Sequence, residues 1–467
     1  MPHSPAPVRE AALRILRRVE VDRAFLDRLL DAERPRERSP EDRSLLQELT
    51  SGAVKWRLRL DWVLGRLLHR PLAELTPWIR NILRLGAYQL LFLDRVPHYA
   101  VVHESVELAK RYGHRGTGEL VNAVLRRLTR EADRIPYPDR EADPLAYLSV
   151  AGSHPEWMVR RWIARYGIEE AERLCEANNA RPMISIRANT LKVDLETLAE
   201  GLRSEEIEAI PSPWMDGFLE IRRNGRLWET EAFRDGWFQP QDPSAGFASL
   251  LLAPQPGERI LDMCSAPGGK TTHLAQCMLN QGEIVALDLH EGRLRDLEEN
   301  VRRLGVTIVR TVQTDARAYT DRPFDRILID APCSGLGVLR RRADARWHRR
   351  EEDIPQLVEL QRAILECAAR LLRVGGVLVY STCTIEPEEN QGGVDAFLRA
   401  HEEIRLEPAS SRISSELART YVHTLPHRHG IDGTFVASMR KTERGMFNIE
   451  CSMLNVQPMD RALSIEH

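Results

Sequence analysis

Apolar positions recur at helical spacing through residues 9–130. Leu83, Ala87, Leu90 and Leu91 stand at i, i+4, i+7 and i+8, which paints one apolar face on a helix. Val102, Val106 and Ala109 repeat the arrangement, and residues 120–128 continue it. Few β-branched runs interrupt this region, so the pattern predicts an all-α bundle. Residues 131–144 then bring three prolines among many charges, the mark of a linker.

The period changes further along. Residues 183–189 read as a strand, 195–202 as a short helix, and 218–221 and 236–238 as further strands, which predicts a small α+β subdomain. From 257 the alternation is regular. A strand over 259–262 leads through a glycine-rich turn to a helix over 270–278, then a strand over 283–288 and a helix over 293–304. Strands over 307–312, 324–330 and 376–381 follow. Strands alternating with helices predict a parallel, doubly wound sheet, whose ligands sit at the carboxyl ends of the strands. Asp262, Asp288, Asp315, Asp330 and Cys383 all fall at or just beyond such ends. No internal repeat is present, and the stretch after Lys441 lacks periodicity and reads as a loosely attached tail. The expected division is therefore 1–135 helical, 136–250 linker helices and small α+β subdomain, 251–441 α/β, and 442–467 tail.

Composition agrees with a folded, multi-domain chain. At 467 residues about three domains are expected. Hydrophobic residues at 43% and charged ones at 29% exclude disorder throughout. No run approaches the roughly 18 apolar residues of a membrane helix, and the first residues carry no charged-then-apolar signal pattern. Seven scattered cysteines without a Cys-x-x-Cys pair read as a reduced, cytoplasmic protein with no zinc site. The net charge of −3 hides an asymmetry. Residues 1–130 hold 24 Lys and Arg against 16 Asp and Glu, or +8, which leaves −11 for the rest. A basic module on an acidic body suits a polyanion partner; solvated helix faces would give the same count.

The turn Asp262-Met-Cys-Ser-Ala-Pro-Gly-Gly-Lys-Thr271 narrows the ligand. A phosphate-binding P-loop needs glycine where Cys264 stands. The strand ending at Asp330 keeps an NTPase as an alternative. The G-x-G-x-x-G of a dinucleotide fold is absent. What remains is S-adenosylmethionine, with backbone amides of the turn at its methionine part and carboxylates on later strands. Asp288 is placed for the ribose hydroxyls and Asp315 for the adenine amino group, although a loop Asp is often only a helix N-cap. Cys333 and Cys383 follow the fourth and fifth strands and so face one cleft. Free cysteines are usually buried and inert, but two in loops at the ligand end, beside Pro, Ser, Thr and Gly, point to nucleophilic catalysis.

The turn, the Asp330-Ala-Pro-Cys-Ser-Gly335 loop and the Ser381-Thr-Cys-Thr384 strand end together resemble the RNA (cytosine-5)-methyltransferase family. Ile82-Leu-Arg-Leu-Gly-Ala-Tyr-Gln-Leu-Leu91, Val96-Pro-His-Tyr-Ala-Val-Val-His-Glu104 and Leu120-Val-Asn-Ala-Val-Leu-Arg126 resemble the NusB-like RNA-binding module, a combination similar to the small-subunit rRNA branch of that family. The resemblance spans residues 9–441. It implies an all-α NusB-like bundle, a small α+β (RRM-like) subdomain and an α/β Rossmann-like methyltransferase domain. Cys264, Ser265, Ala266, Pro267, Gly268, Gly269 and Lys270 would wrap the methionine part of S-adenosylmethionine. Asp288 would hold the ribose, Asp315 the adenine, and Asp330 would lie near the sulfonium and the target base. Cys383 would be the nucleophile and Cys333 would help release the product. Gln241-Asp-Pro-Ser-Ala245 and Leu425-Pro-His-Arg-His-Gly-Ile-Asp-Gly433 also match family segments. Ser265 stands where the family more often has Ala, and residues 341–347 lack its usual Pro.

That chemistry has a physical logic. Cytosine C5 is a poor nucleophile until a thiolate adds at C6 and makes C5 enamine-like. A carboxyl such as Asp330 suits the proton at N3, and the base must leave its stack. The basic run after the Cys333 loop, with Arg340, Arg341, Arg342 and Arg346 around Trp347, is expected to contact RNA phosphates; pairing with the acidic residues 351–353 would be the plain alternative. Arg187 and Asn189 are further RNA candidates. The expected partner is small-subunit rRNA, bound by a monomer off the membrane with S-adenosylmethionine as cofactor and no metal. A tRNA methyltransferase, or an antitermination-type factor with an inactive methyltransferase half, would carry many of the same features.

Overall fold

The computed structural model describes residues 7–33, 39–223, 226–411, 413, 417 and 419–443. The proposed tail from residue 444 and Cys451 lie outside them. The first part is helical, with Pro7–Val21, Leu26–Glu33, Pro40–Lys55, Arg57–Leu67, Pro77–Phe92, His98–Tyr112 and Arg115–Glu131 packed around one apolar core. The helix starts are written in the sequence. Ser39 and Thr76 each accept a backbone N–H three residues on, ahead of Pro40 and Pro77 at the first helical position. Much of the module's positive charge is spent internally: Arg57, Arg80 and Arg84 converge on Glu20, Arg84 also grips Asp61, and Arg111 pairs with Glu10.

Three helices, Pro144–Ala151, Glu156–Tyr166 and Ile168–Asn179, lead into the small sheet. Its strands are β1 (Ile184–Ala188), β2 (Glu208–Pro211), β3 (Phe218–Arg223) and β4 (Phe238–Pro240), in the antiparallel order β2-β3-β1-β4. Helix Leu195–Ser204 closes one face over Ile186, Leu219 and Phe238. β2 carries no apolar run and was not expected from the pattern.

The large sheet contains β5 (Arg259–Asp262), β6 (Glu283–Asp288), β7 (Val309–Gln313), β8 (Phe324–Asp330), β9 (Leu372–Thr382), β10 (Ile404–Glu407), β11 (Val422–Thr424) and β12 (Thr434–Lys441). The order is β10-β12-β9-β8-β5-β6-β7, with β11 beside β12. From β9 to β7 the strands are parallel, as expected. The other edge corrects the all-parallel reading, because β12 runs antiparallel to β9 and carries β10 and β11 in the same sense. β12 is buried on both faces from Thr434 to Met439, so it shows no alternation to mark it as a strand. No helix among the described residues is long and apolar enough to cross a membrane.

Candidate active site

β8 and β9 are neighbours in register, with Asp330 opposite Ser381. Their loops therefore leave the sheet side by side, and the Sγ atoms of Cys333 and Cys383 lie 3.3 Å apart. Main-chain bonds hold the loops together: Ala331 N donates to Ser381 O and Gly337 N to Cys383 O. Gly337 also lies against Gly433, where a Cβ would stand 2.1 Å from the Gly433 oxygen, so only glycine permits this crossing.

The two thiols are unequal. Cys383 is held below its ordinary value, first because it accepts the Cys333 S–H, then by the charges of Arg342 and Lys270; burial and Asp330 oppose this. Cys333 moves up, because its proton is bound to Cys383 and because it is buried. The thiolate thus belongs at Cys383 and the proton at Cys333. Alkylation of Cys383 by iodoacetamide should consequently rise with pH to a plateau reached below the range of an unperturbed thiol. Cys333→Ala should move that profile to higher pH, as read by mass spectrometry of the labelled peptide.

Lys270 lies behind this pair. Burial alone would lower its ammonium, but Asp330 Oδ2 at 2.7 Å outweighs that and lifts it. Asp330 itself remains about a third exposed toward the cleft. At the end of β5, burial pushes Asp262 up to about 7, although Thr271 donates to its Oδ2 at 2.7 Å. Its Oδ1 is buried without a partner.

The turn between them is built for backbone approach. Gly268 takes φ 97° at the start of helix Gly269–Cys277, with Leu297 packed so closely that a Cβ would stand 2.9 Å from Leu297 Cγ. Ser265 is more than a stand-in for alanine, since its N and Oγ both donate to Leu287 O, at 2.8 and 3.0 Å. Ala266 and Pro267 offer carbonyls to Arg293 and Asn300. Cys264 is half-buried and its thiol is pushed well up by burial, so it is an apolar wall. Asp288 ends β6, accepts from His290 N at 2.9 Å and lies 3.3 Å from Arg293. Asp315 follows β7, caps a short turn and pairs with Arg317 at 2.6 Å.

The basic run is largely not a phosphate surface. Arg346 is fully buried and donates to Ser153 O, Asn179 Oδ1 and Asn178 O. Arg340 is buried against Asp432 at 2.6 Å, and Arg341 joins Asp432 and Asp242 at 2.6 and 2.7 Å. Arg187 and Asn189 are buried as well. Arg187 ties β1 to the glycine turn through Gly269 O and Thr272 Oγ1, and Asn189 donates to Gly236 O and Leu304 O. Desolvating these groups is repaid only by fixed partners, which leaves none of the five free for RNA. Arg342 alone of the expected contacts is exposed, and its charge reaches Cys383.

Pattern reading missed Glu389. This buried carboxylate accepts Ser334 N at 2.8 Å, Ser334 Oγ and Gln361 Nε2 at 2.9 Å, and so fastens the Cys333 loop to the segment after Cys383. Its place six residues after Cys383 was the available signal. Among the described residues no group of three or more His, Cys, Asp or Glu is placed to hold a metal ion.

A doubly wound sheet with a glycine turn and acidic strand ends defines the Rossmann-like methyltransferase class, and two thiols are apposed at its strand ends. Known proteins agree with that class. Residues 249–440 match the family model for 16S rRNA methyltransferase RsmB/F, residues 6–130 the NusB family, and residues 154–226 the ferredoxin-like domain of RsmF/B-like methyltransferases. A probable ribosomal RNA small subunit methyltransferase B of Bacillus subtilis is 36% identical over 444 residues, 93% of this chain and 98% of that one. The ribosomal RNA small subunit methyltransferase B of Escherichia coli K12 is 36% identical over 365 residues, 77% and 83% of the two chains. The crystal structure of PH0851 superposes with a TM-score of 0.78 at 28% identity, covering 94% of this chain and all of that one. NSun6 from Pyrococcus horikoshii with SFG gives 0.57 at 29% identity, over 62% and 98%. The chain belongs to the 16S rRNA methyltransferase RsmB/F family.

Proposed function

We propose that the protein transfers a methyl group from S-adenosylmethionine to C5 of a cytosine in small-subunit rRNA, through a covalent bond between Cys383 and C6 of the ring. The observation that carries this reading is the 3.3 Å apposition of the Cys333 and Cys383 thiols at two adjacent strand ends. The family match and the rRNA relatives support the substrate class.

The donor set suits the cofactor: an orphaned buried carboxylate oxygen at Asp262, a turn with no side chain at Gly268, and acidic strand ends at Asp288 and Asp315. Bound S-adenosylmethionine supplies the electrophilic methyl group. On the protein side, Cys264 to Lys270 would wrap its methionine part while Asp288 and Asp315 would hold ribose and adenine. Cys383 thiolate adds to C6 of the flipped base. A proton taken up from water at N3, and held there by the Asp330 carboxylate that pairs with Lys270, offsets the charge that the addition puts on the ring. Once C5 carries the methyl group, its proton passes to solvent water, and the electron pair of that C–H bond re-forms the C5–C6 double bond and expels Cys383 as a thiolate. Cys333, already hydrogen-bonded to Cys383 Sγ, assists that departure. Arg342 is the RNA contact retained in this reading.

The test is transfer of labelled methyl to unmodified small-subunit rRNA and to tRNA, followed by mapping of 5-methylcytosine. Label confined to small-subunit rRNA and abolished by Cys383→Ala is expected. Label in tRNA instead would replace the substrate, and RNA binding without label would leave only a binding factor.

A further inference from the structure

We propose that Arg349 is a positioning residue for Cys333, and that through it the N-terminal helical domain sets where the release thiol sits. This rests on the function proposed above. Arg349 Nη2 donates to Cys333 O at 3.0 Å and Nε to Ser334 O at 3.1 Å. One rigid, planar fork thus spans two successive carbonyls of the loop that carries the thiol. Across the same peptide Glu389 takes Ser334 N, so the Cys333–Ser334 unit is gripped from both sides.

What makes Arg349 more than a local tie is the segment immediately before it, which is seated in the helical domain. Asp344 Oδ2 accepts Leu26 N at 3.0 Å. Trp347 Nε1 donates to Val54 O at 2.7 Å, beneath the Arg57 guanidinium 5.4 Å from its ring centre. His348 Nε2 lies 3.2 Å from Val19 O, and Arg23 donates to His348 O. Arg346 is sunk among carbonyls of the linker helices. Four anchors within residues 344–348 therefore lead directly to the residue that holds the Cys333 loop. With Arg346 and Arg349 both turned to main-chain carbonyls inside the protein, residues 344–349 form a strut from the helical domain to the Cys333 loop.

The consequence is specific. The proposed role of Cys333 is late, after methyl transfer, so at a pH above the Cys383 transition, where that thiol is already ionised, a loosened Cys333 should slow departure of Cys383 without slowing its attack. The full-length protein is used for single-turnover and steady-state methylation of small-subunit rRNA, with the covalent complex read on denaturing gels with and without ribonuclease. Cys333→Ala serves as the standard for a stalled adduct. For Arg349→Ala we expect adduct to accumulate, kcat to fall about tenfold, and both the first turnover and KM for RNA to stay within about twofold of the parent. Arg349→Lys, which can reach only one carbonyl at a time, should recover part of the turnover. Trp347→Phe keeps an aromatic ring but removes the N–H to Val54 O, so it should give a smaller build-up of the same adduct. Arg349→Lys and Trp347→Phe carry the test if Arg349→Ala fails to fold. Adduct in Cys333→Ala but in none of these variants would overturn the positioning role and leave the covalent mechanism standing. A parallel fall of first turnover and kcat without adduct would also overturn it. No adduct in Cys333→Ala would overturn both.

Discussion

Cys333→Ala is expected to stall the enzyme on its RNA, leaving a ribonuclease-sensitive, slow-migrating band on denaturing gels that the wild-type protein does not accumulate. The argument begins with the asymmetry of the thiols. Without Cys333, burial and Asp330 raise Cys383 against the charges of Arg342 and Lys270, so it ionises at higher pH than in the parent. Assayed above that transition, attack and methyl transfer proceed. Departure of a thiolate from C6 is different, because the leaving sulfur loses the neighbour 3.3 Å away that hydrogen-bonds it. Assistance of this kind is worth on the order of 10²–10⁴-fold, so steady-state turnover should fall by that range while one methyl per enzyme is still transferred. Cys333→Ala/Cys383→Ala should give no band. A band in that double variant would place the nucleophile elsewhere, and none in the single variant would remove the release role from Cys333.

The features behind that prediction were legible because strand, turn and chemistry follow one another closely in the chain. A short apolar strand ends, and within three residues stands the polar group that faces the cleft: Asp330 then Cys333, Ser381 then Cys383. The helical module was legible from apolar spacing. The arginines were not. A guanidinium at 340, 341 or 346 looks the same in sequence whether it meets a phosphate or a buried carboxylate, and the partners are far away. Asp432 lies 92 residues beyond Arg340, and Asn179 lies 167 residues before Arg346. Asp288 and Asp315 show the converse difficulty, since both make the cap-type backbone bonds of ordinary loop Asp residues and also sit at strand ends in the cleft. The antiparallel edge escaped notice because β12 is covered on both faces, which erases the period-two signal.

Asp432→Ala should be the most damaging single change to the fold around the site, costing about 3–5 kcal/mol of stability. Asp432 and Asp242, both buried, face Arg340 and Arg341 in a four-charge cluster. Deleting one acid leaves two guanidiniums on a single carboxylate, and Arg340 has almost no access to water that would make up the loss. The damage spreads along covalent neighbours. Asp242 caps helix Pro243–Leu252 through Ser244 N, and Gly433 N donates to Gly337 O, one main-chain bond away from Cys383. Asp432→Asn keeps the shape and one acceptor, so its loss should be nearer 1–3 kcal/mol. Urea unfolding followed by far-ultraviolet circular dichroism reads both. Under conditions where Asp432→Ala remains folded, its Cys383 should alkylate with the wild-type pH profile, because Asp432 is not among the groups that set that thiol. Full stability in Asp432→Ala would mean that Asp242 alone suffices for both arginines. A shifted thiol profile would mean that the cluster reaches Cys383 electrostatically, rather than only through the backbone it holds.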